Sequence, residues 1–193
     1  ANFNTILENI YSILNKSQDL KNKKILITSG PTSEPIDPVR FITNKSSGKM
    51  GASIAEQAFI RGADVILLRS KNSKEPSYNI KEDYFSTGSE LFENIKKYIK
   101  EVDIFIHTAA VSDFTTEKQD IKIKSNQQLN LELQPTTKIF EKLKSLNKKM
   151  FLVGFKAEYN LENSDLIDSA YNILQKANAD LVVANDISKS NSG

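Results

Sequence analysis

The chain has 193 residues, which is enough for one domain with a sizeable core and short for two. Lysine and arginine number 26 against 24 for aspartate and glutamate, so the net charge of +2 gives no argument for nucleic-acid or membrane partners. Cysteine is absent, which excludes disulfides and thiolate chemistry in this sequence and fits a reducing cytoplasm. No apolar run is long enough to span a bilayer.

Apolar residues at helical spacing open the chain. They are Phe3, Ile6, Leu7, Ile10, Ile13 and Leu14. The spacing places them on one helical face, so we expect an accessory or linker helix within residues 1–22 that packs on a domain formed by residues 23–193.

Short apolar runs then alternate with amphipathic segments. Strands are predicted at 25–27, 65–68, 84–85, 104–106, 150–153 and 181–184, and helices at 49–61, 89–100 and 165–177. Continuous apolar runs are typical of strands buried on both faces, and strands separated by helices pair in parallel. The pattern predicts an α/β fold with a Rossmann-like, doubly wound, mostly parallel sheet. Ligands bind at the carboxyl ends of such strands.

One segment alternates strictly between apolar and polar residues, at 121–124 and again at 129–134. Alternation predicts an inserted antiparallel hairpin with one apolar face, and a lone hairpin is marginal in water. Either the domain itself or a second subunit must cover that face, and we favour the subunit.

The connection from residue 28 to residue 51 is long for a loop between a strand and a helix, where about 2–6 residues are usual. It enters the helix through Ser46, Ser47, Gly48 and Lys49. Free amides, two hydroxyls, the helix dipole and a lysine predict an anion site. The alternative is that a serine only caps the helix and Gly51 only allows close packing.

Familiar signatures are missing from this sequence. It has neither the dinucleotide fingerprint nor the P-loop, which counts against a nicotinamide-dependent oxidoreductase. The single histidine, His107, ends a strand, where a functional and a structural role are equally open. Asp113 is a candidate for binding a sugar hydroxyl or a simple turn residue. Lys122 and Lys124 share one face of the hairpin, where they could reach phosphates or only aid solubility.

Seven motifs in this order resemble the phosphopantothenate–cysteine ligases (phosphopantothenoylcysteine synthetases) of coenzyme A biosynthesis. They are Thr-Ser-Gly-Pro-Thr at 28–32, Glu-Pro-Ile-Asp-Pro-Val-Arg at 34–40, Asn-Lys-Ser-Ser-Gly-Lys-Met-Gly at 44–51, Ala-Ala-Val-Ser-Asp at 109–113, Lys-Ile-Lys at 122–124, Val-Gly-Phe at 153–155 and Ala-Asn-Asp at 184–186. The resemblance covers residues 24–186. The N-terminal helix is similar to the linker that follows the flavin-dependent decarboxylase in the bifunctional form.

The resemblance implies a ligase that activates 4′-phosphopantothenate with CTP and Mg²⁺, forms an acyl-cytidylate and transfers the acyl group to cysteine, releasing CMP and pyrophosphate. It implies catalytic roles for Asn44 and Lys122 and substrate contacts by Arg40, Asn44 and Ala110. The expected nucleotide-binding residues are Gly30, Ser46, Ser47, Gly48, Lys49, His107, Thr108, Ala109, Asp113, Lys122, Thr137, Lys138, Ile139, Phe140 and Phe155. The 121–134 hairpin would be the dimer contact.

The sequence departs from the family at two places. Thr136-Thr137-Lys138 stands where Asn-Pro-Asp is common, and two helix lysines of the bacterial type correspond to Ile173 and Ala177, with Lys176 one place off. The choice between CTP and ATP therefore stays open. The resemblance also leads us to expect a further strand after the Asn-Asp segment, so we expect this chain to be part of a longer protein. Loss of activity in a non-catalytic relative is a competing interpretation, against which Asn44 and Lys122 argue.

Overall fold

The computed structural model describes Ile10 and residues 18–126 and 128–188. The predicted N-terminal helix lies, apart from Ile10, outside these residues, and the division between 1–22 and 23–193 stays a prediction. The strands are β1 Lys24–Ser29, β2 Ser33–Pro35, β3 Phe41–Thr43, β4 Asp64–Ser70, β5 Lys81–Phe85, β6 Ile104–His107, β7 Phe114–Thr115, β8 Gln134–Pro135, β9 Phe151–Glu158 and β10 Leu181–Asp186. The α-helices are α1 Lys49–Ile60, α2 Gly88–Tyr98, α3 Ile139–Leu146 and α4 Asn163–Ala177, and a short 3₁₀ turn, Ile99–Glu101, follows α2.

A parallel sheet of six strands organises the domain, in the order β10-β9-β6-β1-β4-β5. Each neighbouring pair runs parallel. This arrangement confirms the predicted Rossmann-like, doubly wound fold. The carboxyl ends of β1, β6 and β9 lie side by side, because Thr28 pairs with His107 and His107 with Gly154.

Alternate residues of the central strands enter two separate cores. Leu26, Phe105 and Leu152 pack with buried side chains of α2 and α3 on one face of the sheet. On the other face Ile25 and Leu67 pack with alanines of α1. Burial on both faces explains why these strands are continuous apolar runs in the sequence.

The helix ends follow local chemistry. At the start of α1, Gly48 adopts a left-handed conformation with φ of 73°, and Gly62, just beyond its end, has φ of 88°. Thr87 caps α2, since its Oγ1 accepts the Glu90 amide at 3.2 Å while the Glu90 carboxylate accepts the Ser86 amide at 2.7 Å. These caps agree with the predicted helices at 49–61 and 89–100 to within one or two residues.

The insertion between β6 and α3 contains an antiparallel pair, but its strands are β7 and β8. The described residues of the predicted hairpin, 121–126 and 128–133, contain no strand. The inserted antiparallel hairpin is thus confirmed, with Gln134 in one of its strands, but placing strands at 121–124 and 129–133 was wrong for this chain. The physical reason is that the described part of the domain leaves apolar side chains of this segment unburied, since Ile121 is 82% exposed and Leu133 47%. A two-stranded hairpin with an exposed apolar face is only marginally stable in water.

Among the described residues, no helix has the length and apolarity that crossing a membrane requires.

Candidate functional site at the carboxyl ends of β1, β6 and β9

The long loop after β1 is a built structure. Strands β2 and β3 pair antiparallel, and the turn between them is closed by the buried carboxylate of Asp37. That carboxylate accepts the Val39 and Arg40 amides at 2.8 Å, the Ile123 amide at 3.1 Å and the Arg40 guanidinium at 3.0 Å. Burial raises the pKa of Asp37, but these bonds outweigh it and hold the pKa below its usual value. The hydrogen bonds to Asp37 therefore hold both the backbone and the guanidinium of Arg40 in place.

After β3 the chain turns into α1 through residues 44–48. Ser47 Oγ accepts the Lys49 amide at 3.3 Å, but neither serine is the N-cap residue of α1. The N-cap residue is Gly48, which has no side chain to accept a hydrogen bond, and the first turn of α1 carries no acidic residue. Lys49 at that end is unfavourable for the helix dipole by itself. The residues at this helix end are therefore better suited to binding an anion than to stabilising the helix.

Three adjoining cavities meet at this edge of the sheet. The first, which we call the turn cavity, measures about 720 Å³ and lies between the start of α1 and the ends of β6, β9 and β10. It is lined by Lys45, Ser46, Ser47, Gly48, Lys49, Met50, Gly51, His107, Thr108, Ala109, Ala110, Phe155, Ala157, Asn185 and Ile187. Hydroxyls, lysines and backbone amides thus face small residues, an arrangement that suits an anionic ligand.

The second, the helix cavity, measures about 530 Å³ and lies between β6, β9, α3 and α4. Residues 136–141 line it, together with Asp113, Lys156, Ser169, Asn172, Ile173 and Lys176. It shares His107, Ala109 and Phe155 with the turn cavity, so the two flank the same strand ends.

The third, the loop cavity, measures about 820 Å³ and contains Arg40 and Asn44. It shares Lys45 and Ser46 with the turn cavity. The Asn44 side-chain amide donates to the Val111 carbonyl at 3.1 Å and to the Ala110 carbonyl at 3.3 Å. Asn44 therefore joins the long loop to the segment after β6, next to Ala110.

His107 holds the floor of the helix cavity. Its ring stacks on Phe140 with centroids 5.8 Å apart and 14° between the planes. Phe140 in turn lies over Gly154, where an added Cβ would come within 2.3 Å of the ring. Thr28 Oγ1 accepts the Ala109 amide at 3.2 Å and lies 2.9 Å from His107 Nδ1. The threonine hydroxyl thus ties the ring of His107 to the segment after β6, and the tautomer of the ring sets which of the two donates.

Burial lowers the pKa of His107 from 6.5 to about 4. In the unfolded chain the imidazole takes up a proton near pH 6.5, whereas in the folded chain it stays neutral down to about pH 4. The free energy of unfolding is therefore undiminished above pH 6.5 and decreases as the pH falls toward 4. We expect the loss to be about 3 kcal/mol. Proton NMR of the single imidazole should give the low pKa, and urea unfolding should show a pH dependence that His107→Gln flattens. An imidazole that titrates near 6.5 would contradict the buried, neutral state.

The structure brings most of the predicted site residues into the three cavities. Gly30 does not line them: it has φ of 84°, and its carbonyl accepts the Ala110 amide at 3.0 Å, so it positions the segment after β6. Lys122 is exposed and lines none of the three. Its proposed role stays a prediction.

Several cavity residues were missed from the sequence. These are Lys156, Ser169, Asn172, Lys176 and Asn185. The signal for the helix residues was available in part, since Ser169, Asn172, Ile173 and Lys176 follow the spacing of one helical face.

No group of three or more histidine or acidic side chains in the described part of the chain is placed to bind a metal ion. Asp113 nevertheless lines the helix cavity. Magnesium usually takes one or two carboxylates plus substrate phosphates, so the residues fit Mg²⁺ that arrives with a nucleotide.

Comparison with known proteins agrees with this architecture. The family model of the DNA/pantothenate metabolism flavoprotein C-terminal domain (DFP) matches residues 20–193. The chain belongs to this family. The resemblance seen in the sequence is thereby confirmed.

Relatives of this DFP domain include the coenzyme A biosynthesis bifunctional protein CoaBC of Thermococcus kodakarensis, which is 46% identical over 188 residues. The match covers 95% of this chain but 46% of that protein, so the chain spans about half the length of the curated relatives it matches. A DNA/pantothenate metabolism flavoprotein from Streptococcus pneumoniae superposes with a TM-score of 0.80 and 33% identity, covering 86% of this chain and 82% of that one. The crystal structure of a C-terminal domain of CoaBC gives a TM-score of 0.76 and 37% identity, with 88% and 80% covered.

Proposed function

We propose that this DFP domain is a phosphopantothenate–cysteine ligase. The observation that carries the proposal is the continuity of the site: Asn44 is bonded to the segment after β6, between a loop cavity with Arg40 and a turn cavity rich in anion-binding groups. Curated relatives of the family are named for coenzyme A biosynthesis, which supports the same substrate class.

In the first step a carboxylate oxygen of 4′-phosphopantothenate attacks the α-phosphorus of the nucleotide. The bond between the α-phosphorus and the bridging oxygen breaks, and pyrophosphate leaves. Asn44 is placed to hold the carboxyl group, which takes the place of the Ala110 carbonyl in the longer of its two hydrogen bonds. Arg40, anchored by Asp37, lies in the same cavity and supplies the neighbouring positive charge.

In the second step the amine of cysteine attacks the acyl carbon. The carbon–oxygen bond to the nucleotide breaks, CMP leaves when the nucleotide is CTP, and the amine proton passes to solvent. No protein nucleophile is required, and the chain's work is to position the reactants and to stabilise developing charge.

The nucleotide is proposed to occupy the helix cavity, with its reacting phosphate near the ends of β6 and β9. The Phe140 and His107 rings and Phe155 give the apolar surface for a base, while Ser46, Ser47, Gly48 and Lys49 lie beside the phosphates. We propose CTP as the nucleotide, with ATP as the alternative. Mg²⁺ would neutralise charge on the triphosphate, bound by phosphate oxygens beside Asp113.

We further propose that two copies of the chain form the active unit through residues 121–134. Ile121, Leu129, Leu131 and Leu133 are each more than a third exposed in that segment, and burial against a second copy would cover them. Formation of this dimer would also bring Lys122 closer to the nucleotide. Fusion to, or association with, a decarboxylase follows the bifunctional relatives, and a cytoplasmic location fits the absence of cysteine.

The test is turnover with defined reactants. The protein is mixed with 4′-phosphopantothenate, cysteine, Mg²⁺ and either CTP or ATP, and pyrophosphate is measured. Release that requires phosphopantothenate supports the ligase, and the better nucleotide identifies the co-substrate. Absence of phosphopantothenate-dependent release with both nucleotides would overturn the proposal.

A further inference from the structure

Strand β9 divides the two cavities at which the nucleotide is proposed to bind. Phe155 and Ala157 line the turn cavity. Gly154 faces Phe140, and Lys156 lines the helix cavity. Lys156 is two residues beyond Gly154 on the same face of the strand, so its Cα lies about 6–7 Å nearer the carboxyl edge of the sheet. From the interior of the sheet toward its carboxyl edge, the cavity is therefore lined first by the Phe140 ring over Gly154 and then by Lys156.

Lys156 differs in burial from the other two lysines of the helix cavity. Lys138 and Lys176 are exposed, and Lys138 is paired with Asp113 at 2.5 Å. The Lys156 side chain is only 27% exposed. Because a partly buried charge is screened less by water and salt, Lys156 interacts more strongly with an anion in the cavity than an exposed lysine does.

The ammonium group of Lys156 is held in place. Its Nζ lies 2.9 Å from Glu158 Oε1, and Ser169 of α4 donates to the same oxygen at 2.7 Å. The carboxylate is thus shared between a strand and a helix that bound the cavity. A lysine fixed in this way loses less side-chain entropy when it binds a ligand.

Helix α4 contributes little charge at the centre of its cavity face. Ser169, Asn172 and Ile173 occupy that face, and Lys176 follows one turn later at its exposed end. The helix positions at which the family resemblance leads one to expect lysines are here Ile173 and Ala177, the latter buried. Of the three lysines that line the cavity, Lys156 on β9 is therefore the one whose charge is partly buried.

We propose that Lys156 binds the phosphate chain of the nucleotide in this protein, supplied from β9 in place of helix lysines. This inference rests on the proposed function for the identity of the ligand. The ammonium group has three donors, so Lys156 can bind the triphosphate while it keeps its contact with Glu158, and the amide of Asn172 lines the same cavity as a neutral donor.

The test compares Lys156→Gln with the wild-type protein by equilibrium binding. We expect the variant to bind CTP about tenfold more weakly or worse, equivalent to about 1.4 kcal/mol, and CMP less than threefold more weakly. Lys156→Arg should restore most of the CTP affinity because it keeps the charge. Lys148→Gln, at an exposed position in the turn that precedes β9, is the matched control and should change neither affinity.

Inorganic tripolyphosphate separates this inference from the proposed function. If the wild-type protein binds it through Lys156 but makes no product, the phosphate subsite stands and the ligase proposal fails. If the wild-type protein turns over and Lys156→Gln leaves both the KM for CTP and tripolyphosphate binding unchanged, the inference about Lys156 is overturned. A wild-type protein that binds neither CTP nor tripolyphosphate would overturn both.

Discussion

Replacing Asn44 by aspartate is expected to lower the rate of pyrophosphate release by about a hundredfold or more, the size of effect seen when a single charge-stabilising donor is lost. The new carboxylate would face the carbonyl oxygens of Ala110 and Val111, to which the amide now donates. It would also repel the carboxylate of the substrate. Both effects act at the reacting group.

The fold should survive this change, because Asn44 is exposed and lies outside both cores. Circular dichroism and urea unfolding check that expectation. Asn163→Asp makes the same chemical change at the exposed start of α4 and should leave turnover at the wild-type level. Wild-type turnover in Asn44→Asp would show that the role given to this residue is wrong.

Replacing Gly51 by valine is expected to lower the free energy of unfolding by about 1–3 kcal/mol, as overpacking does elsewhere. A Cβ at this position would lie 2.5 Å from Thr108 Oγ1 and 2.6 Å from the Ser29 side chain. Thr108 Oγ1 donates to the Thr28 carbonyl at 2.5 Å, and Ser29 Oγ donates to the Gly48 carbonyl at 2.8 Å. Both neighbours are therefore held, so α1 must move away from the sheet.

That movement also displaces the turn that lines the turn cavity, so turnover should fall together with stability. Urea unfolding and pyrophosphate release measure the two effects. Ser53→Ala, on the exposed side of the same helix, should stay within about 0.5 kcal/mol of the wild-type protein and keep its activity. A stable, active Gly51→Val would mean that helix and sheet are not in close contact at this point.

The parallel sheet could be predicted because its signal is local. Runs such as 25–27 and 104–106 are apolar throughout. In the structure residues 25–27 are buried on both faces, and in the second run Phe105 is buried while Ile104 and Ile106 are partly buried. Helix α3 went unpredicted because it has only eight residues, too few for a clear period. Strand β9 extends to Glu158, well beyond its apolar residues, because its residues 153–158 pair with all six residues of β10.

The hairpin shows where pattern alone fails. The alternation in 121–134 indicates which side chains would be buried in a hairpin, but it does not indicate what they would pack against. In this chain Ile121, Leu129, Leu131 and Leu133 are exposed, and the strand pairing described in the insertion is that of β7 with β8.

The loop segments that form the site could be predicted from the sequence, but not all the side chains that line its cavities. Residues 44–51 stand out by loop length, whereas the contribution of Lys156 depends on which face of β9 carries it and on its contact with Glu158. Burial of His107 also depends on Phe140, which lies 33 positions later in the chain. Contacts between residues so far apart in the chain are set by tertiary packing, which one sequence does not reveal.

In the proposed reaction this site joins a carboxylate to the α-phosphorus of a nucleotide before the amide forms. Phosphopantothenate labelled with ¹⁸O in its carboxyl group tests it directly, with the nucleoside monophosphate and the other phosphorus products analysed by mass spectrometry after turnover with cysteine. We expect one labelled oxygen in the monophosphate. Label found instead in inorganic phosphate, or an amide product formed with unlabelled monophosphate, would contradict it.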